Sequence, residues 1–136
     1  MQTVREFMTE DVVTIESDSP IEDAARLMRE YDIGLVAVMD GESLRGVVTD
    51  RDIVVKAIAE GRFDERVGSI VSETLVTVSP DDDVVRAAEL MSETDVRRLP
   101  VCDGKQLVGM LSVGDLATRA DSNMAGIVME QTGPEA

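Results

Sequence analysis

The alternation of apolar and polar positions divides the chain into two halves that predict the same elements in the same order. In the first half, the short β-branched run at 12–15 predicts a buried strand, and residues 19–32 have the apolar spacing of an amphipathic helix. Two apolar runs follow, joined through Asp40 and Gly41, as in a β-hairpin. A second helical pattern from Ile53 completes a β-α-β-β-α unit.

The same pattern predicts how the helices begin and which residues they bury. Ser19 is the predicted N-cap of the first helix, with Pro20 at the first helical position and Glu22 completing a capping box. Asp82 is the predicted cap of the matching helix in the second half. The residues predicted to face the core are Ile21, Ala24, Ala25, Met28 and Tyr31 in the first helix, Val84, Ala87, Ala88 and Met91 in its copy, and Ile53, Val54, Ala57 and Ile58 in the helix that closes the first half.

The two halves are copies of one another. A shift of 63 residues aligns them without a gap, and about eighteen of the fifty-four aligned pairs are identical. We therefore predict repeat 1 at 1–60, a linker at 61–66, repeat 2 at 67–120 and a C-terminal tail at 121–136. The apolar residues of the tail suit either a contact in a dimer or a frayed end, and both readings stay open.

The predicted fold class is α/β, more narrowly α+β, with a small three-stranded sheet in each β-α-β-β-α repeat. A repeat of about 60 residues cannot cover both faces of such a sheet, so burying the open face against its copy stabilises both. We expect the two repeats to pack sheet to sheet with pseudo-twofold symmetry. Such packing creates two clefts where the strand ends of the copies meet.

Composition narrows the classes of function. A net charge of -15 argues against nucleic-acid binding, which needs clustered Lys and Arg. With no histidine and one cysteine, Cys102, the chain lacks the residues of His-based catalysis, of the common metal sites and of an internal disulfide. Cys102 itself is interpreted as a small core residue. No apolar run reaches about 18 residues and the N-terminal residues do not form a signal peptide, so we expect no membrane association and a cytoplasmic protein.

A hydroxyl and a carboxylate three residues apart stand where a strand gives way to a helix in both repeats. Thr49 and Asp52 can form an ordinary capping box, worth about 1 kcal/mol, and Ser112 with Asp115 can do the same. Alternatively, the free N–H groups of the helix start can attract an anion while the carboxylate accepts hydrogen bonds from a sugar diol. Glycines precede both hydroxyls and are expected to permit close approach of a ligand. The pattern favours a nucleoside whose phosphate is bound by other residues.

Candidates for those other residues are few in so acidic a chain. Arg97 and Arg98 precede a predicted strand of repeat 2, and adjacent strand residues face opposite sides, so each can serve a different cleft. Arg51 is a third candidate, although a surface role is an equal alternative for it. No aromatic residue is placed to stack on a base, so aliphatic side chains would have to contact it; these are Val12, Val13, Leu75 and Val76.

The motifs "MTEDVVTI", "VRRLPVCDG", "GVVTDRDI" and "GMLSVGDL", together with the doubled unit, resemble the CBS domain, which is named after cystathionine beta-synthase and occurs in pairs called Bateman modules. The resemblance covers residues 1 to about 120. It implies a non-catalytic regulatory module that requires no cofactor and binds an adenosine derivative, namely AMP, ADP, ATP or S-adenosylmethionine. It also implies a homodimer of disk-like shape that acts on an effector protein not named by the sequence.

Carried over to this chain, the family's motif places the ribose at Asp52 with Thr49 and at Asp115 with Ser112. The resemblance places the phosphates at Arg97 and Arg98. The two implied clefts are Thr49, Arg51, Asp52, Leu75, Val76 and Arg98 for the first, and Val12, Val13, Arg97, Ser112 and Asp115 for the second. Arg51 is matched by Gly114 in repeat 2, so if one cleft alone is occupied, we expect it to be the cleft that contains Asp52.

Two rival functions are weighed against this one. The first is a ligand-free structural or partner-binding homodimer of the same fold, in which both junctions only cap helices. The second is an enzyme that acts on a nucleotide, which the absence of histidine and of a convincing nucleophile and base pair argues against.

Overall fold

A computed structural model describes residues 1–73 and 76–119 of the chain. It contains two compact units, and their bounds differ from those of the sequence repeats. Met1–Asp11 belongs to the unit formed by the residues from Val76 onward, whereas Val12–Leu75 forms the other unit. Each unit therefore combines the body of one repeat with the first residues of the other.

The unit Val12–Leu75 has the predicted hairpin and helices on one sheet. Its elements are β1 (Thr14–Glu16), α1 (Ile21–Tyr31), β2 (Leu35–Asp40), β3 (Ser43–Thr49), α2 (Asp50–Asp52), a π-helical segment (Ile53–Ile58) and β4 (Ser72–Glu73). The sheet order is β1-β2-β3-β4, with β1 parallel to β2 and the other neighbours antiparallel. The fourth strand was not predicted, because it comes from the start of repeat 2.

The unit that combines Met1–Asp11 with the residues from Val76 onward has the same order of helix, hairpin and helix. Its elements are α3 (Val84–Thr94), β5 (Arg98–Asp103), β6 (Gln106–Ser112) and α4 (Val113–Arg119). In the described part of the strand predicted at 75–78, Val78 forms a parallel bridge with Val101. Thr9 forms an antiparallel bridge with Met110 on the far side of the hairpin. The predicted Asp-Gly turns are confirmed in both hairpins, with Gly41 and Gly104 at φ of 64° and 62°.

Two predicted helix caps are wrong. Helix α1 has Pro20 as its N-cap residue without a side-chain hydrogen bond, so neither Ser19 nor Glu22 forms the predicted box. The reason is that the predicted linker supplies the acceptor: the Glu65 carbonyl accepts from the Ile21 N–H at 3.1 Å. In the second half, Asp83 and not Asp82 caps α3, and its carboxylate accepts from the Val85 N–H at 3.0 Å.

The cores confirm most of the predicted apolar positions. In α1, Ile21, Ala24 and Met28 are buried, but Ala25 and Tyr31 lie at the edges of the stripe and are exposed. In α3, all four predicted residues are buried. The core cluster of the unit Val12–Leu75 consists of Ile15, Ile21, Ala24, Met28, Val36, Val38, Val48, Ala57, Val67 and Ile70. The core cluster of the other unit includes Val4, Phe7, Met8, Val84, Ala88, Met91, Leu99, Val101, Leu111 and Leu116.

The segment that follows α2 exposes residues that were predicted to be buried. Ala57 is buried, whereas Val54 and Ile58 are 58% and 50% exposed. The Ala59 N–H bonds to the Val54 carbonyl at 2.9 Å, five residues back, so this turn is wider than an α-helical one and rotates the apolar face. Val55 is 47% exposed beside them. We name Val54, Val55 and Ile58 the exposed helix face.

Within residues 1–73 and 76–119, no helix combines the length and apolar character needed to cross a membrane. The predicted tail at 121–136 lies outside the described residues.

Candidate ligand-binding junctions

Thr49 and Asp52 form the capping box that the spacing predicts. The Thr49 hydroxyl oxygen accepts from the Asp52 N–H at 3.0 Å, and Asp52 Oδ2 accepts from the Thr49 N–H at 2.9 Å. These two bonds satisfy free N–H groups at the start of α2. They engage one carboxylate oxygen and leave Oδ1 for partners outside the box.

Asp52 Oδ1 has such partners. Lys56 Nζ lies 3.1 Å from it, and the Ser72 hydroxyl donates to the carboxylate at 3.4 Å from Oδ1 and 3.3 Å from Oδ2. The Asp52 side chain is only 12% exposed, whereas that of Lys56 is 43% exposed. The carboxylate is thus shielded from water and balanced by an ammonium group that reaches it from the next helical turn.

Ser112 and Asp115 form the same box in the second unit. The Asp115 N–H donates to the Ser112 hydroxyl oxygen at 3.0 Å, and Asp115 Oδ2 accepts from the Ser112 N–H at 3.0 Å. The Thr9 hydroxyl lies 3.5 Å from Asp115 Oδ1, the limit of a hydrogen bond. Asp115 Oδ1 therefore retains capacity to accept a shorter hydrogen bond.

Thr9, Ser72 and Lys56 are neighbours of these carboxylates that were not predicted. Thr9 and Ser72 are an aligned pair in the 63-residue shift, so both repeats carry a hydroxyl at this position. The repeated hydroxyl was the feature of the sequence that could have indicated a shared role for Thr9 and Ser72. Lys56 follows Asp52 by four residues, the spacing at which side chains meet along a helix.

The glycines that precede the hydroxyls admit a neighbouring strand, and not a ligand as was expected. A Cβ placed on Gly46 would lie 2.2 Å from the Ser72 carbonyl oxygen. A Cβ placed on Gly109 would lie 2.7 Å from Met8 Sδ and 3.0 Å from the Thr9 carbonyl oxygen. The glycines thus allow the segments that carry the Ser72 and Thr9 hydroxyls to approach the hairpins closely.

The predicted phosphate-binding arginines lie next to the two boxes in the backbone: Arg51 stands between Thr49 and Asp52, and Arg98 is paired with Ser112 in the β5–β6 ladder. Arg51, Arg97 and Arg98 are exposed. The Arg97 carbonyl accepts from the N–H of Val113, the first residue of α4, at 2.9 Å, as the Gly34 carbonyl does from Asp50 at 3.0 Å.

The predicted base-contacting residues are aliphatic positions at the edges of the cores. Val12, Val13 and Val76 are partly buried, with Val13 and Val76 packed on the cores of their own units. Leu75 lies outside the described residues. The grouping of residues from both repeats into shared clefts stays a prediction.

Cys102 is partly buried and has a free thiol, so the predicted small core residue lies at the margin of the core. Burial raises the pKa of the Cys102 thiol, which keeps it protonated and weakly nucleophilic at neutral pH.

The chain is a tandem-repeat protein of two α/β units. Each unit has a capping box of a hydroxyl and a carboxylate at a strand-to-helix junction, which makes the two boxes a pair of candidate binding sites. The CBS domain family model matches residues 4–58 and 67–122, and the chain belongs to this family. The resemblance noted in the sequence is therefore confirmed, as is the fold class.

The relatives include proteins of similar length. The chain is 36% identical over 124 residues to the CBS domain-containing protein YhcV of Bacillus subtilis, covering 90% of this chain and 89% of YhcV. The crystal structure of Hypoxic Response Protein I with two coordinated zinc ions has a TM-score of 0.77 and 32% identity, covering 87% of this chain and 98% of the other. That of CBSX2 in complex with AMP has a TM-score of 0.76 and 28% identity, covering 88% and 96%.

Proposed function

We propose that this chain is a non-catalytic regulatory module that binds an adenosine-containing ligand, AMP, ADP, ATP or S-adenosylmethionine. One observation carries the proposal: in each box the aspartate uses Oδ2 for capping, and its carboxylate also accepts from a hydroxyl of another segment, Ser72 for Asp52 and Thr9 for Asp115. A ribose diol offers the same kind of donor. The AMP complex of CBSX2, a protein of the same fold, supports the choice of ligand.

The proposal assigns roles to the other predicted residues. Arg51, Arg97 and Arg98 bind the phosphates, since Arg donates to phosphate in a planar, bidentate manner. The aliphatic residues contact the base; they are Val12, Val13, Leu75 and Val76. A cytoplasmic location is part of the proposal, because a free thiol suits a reducing compartment.

The proposal also includes a homodimer. The exposed helix face places three β-branched apolar side chains in water, and Val54 and Ile58 are four residues apart on one side of the segment. Burial of such a face against a second copy stabilises both copies. The effector protein on which the module acts is not identified.

A thermal-shift series tests ligand binding. AMP, ADP, ATP, S-adenosylmethionine and NADH are added in turn, and at a hundredfold excess over Kd the bound ligand stabilises the fold by about 2.7 kcal/mol. We expect at least one of the first four to raise the melting temperature. Asp115→Asn and Asp52→Asn, which keep a capping oxygen but remove the charge, should reduce that shift.

Asp83→Asn is the matched control, because Asp83 caps a helix away from both junctions. It should leave the ligand-induced shift unchanged. If no nucleotide raises the melting temperature, or if the three variants behave alike, the binding proposal is wrong.

A second candidate function is the ligand-free structural homodimer. The engagement of Asp52 by Thr49, Ser72 and Lys56 favours it, because this carboxylate already has partners for both oxygens. Nucleotide released on denaturing protein purified from cells, detected by mass spectrometry, would argue against it.

A further inference from the structure

Lys56 is held by three acceptors next to the first junction. Its Nζ lies 3.1 Å from Asp52 Oδ1, 3.1 Å from the Ser72 hydroxyl oxygen and 3.4 Å from the Ile70 carbonyl oxygen. An ammonium group has three N–H donors, so this set can satisfy all of them. The side chain is therefore fixed over the outer oxygen of the Asp52 carboxylate.

The position of this ammonium matters for any sugar that binds at Asp52. Asp52 Oδ2 is used by the Thr49 N–H, which leaves Oδ1 as the oxygen for a ribose hydroxyl. Lys56 and Ser72 already occupy that oxygen. A diol that bonds to Oδ1 therefore competes with the ammonium, which is the nearest donor to that oxygen on a side chain that is only 12% exposed.

We infer that Lys56 is an internal competitor for the ribose at the first junction, and that it lowers the affinity of this junction for a nucleoside. The inference rests on the proposed nucleotide-binding function. It makes Lys56 a specificity-determining residue that sets the ligand concentration at which Asp52 is engaged. When a nucleoside binds, its diol donates to Oδ1 and the Lys56 ammonium is released to solvent.

The first experiment isolates the first junction. In an Asp115→Asn background, Lys56→Met removes the ammonium but keeps an unbranched side chain of similar length. Adenosine is the probe, since it has the diol but no phosphate that the ammonium could attract. Calorimetry should show adenosine binding about fivefold more tightly after this change, the factor that a partly exposed ion pair is typically worth.

Lys105→Met in the same background is the control, because Lys105 carries the same charge in the exposed turn of the β5–β6 hairpin. It should leave the affinity for adenosine unchanged. An affinity that is unchanged or weaker in Lys56→Met, with binding retained, overturns the inference and leaves the proposed function intact. If neither adenosine nor any of AMP, ADP, ATP and S-adenosylmethionine binds to any of the proteins, the wild type included, the proposed function is overturned and the inference falls with it.

Amine labelling gives an independent readout, since Lys56 and Lys105 are the only lysines of the chain. An amine-reactive reagent should modify Lys56 faster in the presence of saturating adenosine than in its absence, while Lys105 serves as the internal reference. A slower reaction of Lys56 with adenosine bound would mean that the ammonium contacts the ligand, which also overturns the inference.

Discussion

Replacing Gly46 by alanine is expected to lower the free energy of unfolding by about 3 kcal/mol, the upper range for overpacking. The new Cβ would lie 2.2 Å from the Ser72 carbonyl oxygen and 2.9 Å from Glu73 Cα, both backbone atoms that cannot rotate away. Strand β4 must move off β3, and with it the Ser72 hydroxyl leaves Asp52. In a strand without this contact, alanine would be more favourable than glycine by about 0.5–1 kcal/mol. A loss of stability in Gly46→Ala would therefore indicate the close contact with β4. Urea denaturation measures the change.

Gly109→Ala is the matched variant in the second unit. Its nearest obstacle is Met8 Sδ at 2.7 Å, the end of a flexible side chain, although the Thr9 carbonyl oxygen at 3.0 Å is also tight. We expect about half the destabilisation of Gly46→Ala, because a methionine side chain can adopt another rotamer. Equal effects of the two variants, or a Gly46→Ala protein whose Ser72–Glu73 amides remain protected from hydrogen exchange, would contradict this account.

The parts of the structure that could be predicted depend on residues close in sequence. The capping boxes at Thr49 and at Ser112 each join residues three positions apart, and their internal hydrogen bonds are those expected from that spacing. The hairpins follow from their Asp-Gly turns for the same reason. Each of these local features occurs in both repeats, which supports its assignment in each.

The parts that could not be predicted depend on segments far apart in sequence. Strand β4 pairs with β3 although it belongs to the other repeat, and Glu65 replaces Ser19 as the acceptor at the start of α1. A pattern of apolar residues indicates which face is buried but not which segment covers it. The hydroxyls of Thr9 and Ser72 therefore became part of the candidate site only when their partners were known.

The exposed helix face was mispredicted for a different reason. A period of 3.6 residues places Val54 and Ile58 on the buried side with Ala57, whereas the π-helical turn has a longer period. The sequence has no proline or glycine in Ile53–Ile58 that would mark the change. An apolar residue that a helical pattern assigns to the core can thus lie on the surface.

Introducing lysine at both Val54 and Ile58 is expected to weaken self-association about a thousandfold. In a twofold dimer each substitution occurs in both copies, so four side chains are removed from the interface. At about 1 kcal/mol for each half-exposed aliphatic side chain, the loss is about 4 kcal/mol. Sedimentation equilibrium over a range of concentrations measures the dissociation constant.

Lysine, and not glutamate, is the informative choice. The chain carries a net charge of -15, so added positive charge reduces the general repulsion between copies and can weaken the dimer only by disrupting the contact itself. The paired control places lysine at Tyr31 and Val85, which are exposed apolar residues on α1 and α3. A double variant that remains as dimeric as the control would assign the interface to another surface, and a wild-type chain that is monomeric at every concentration would end the homodimer proposal.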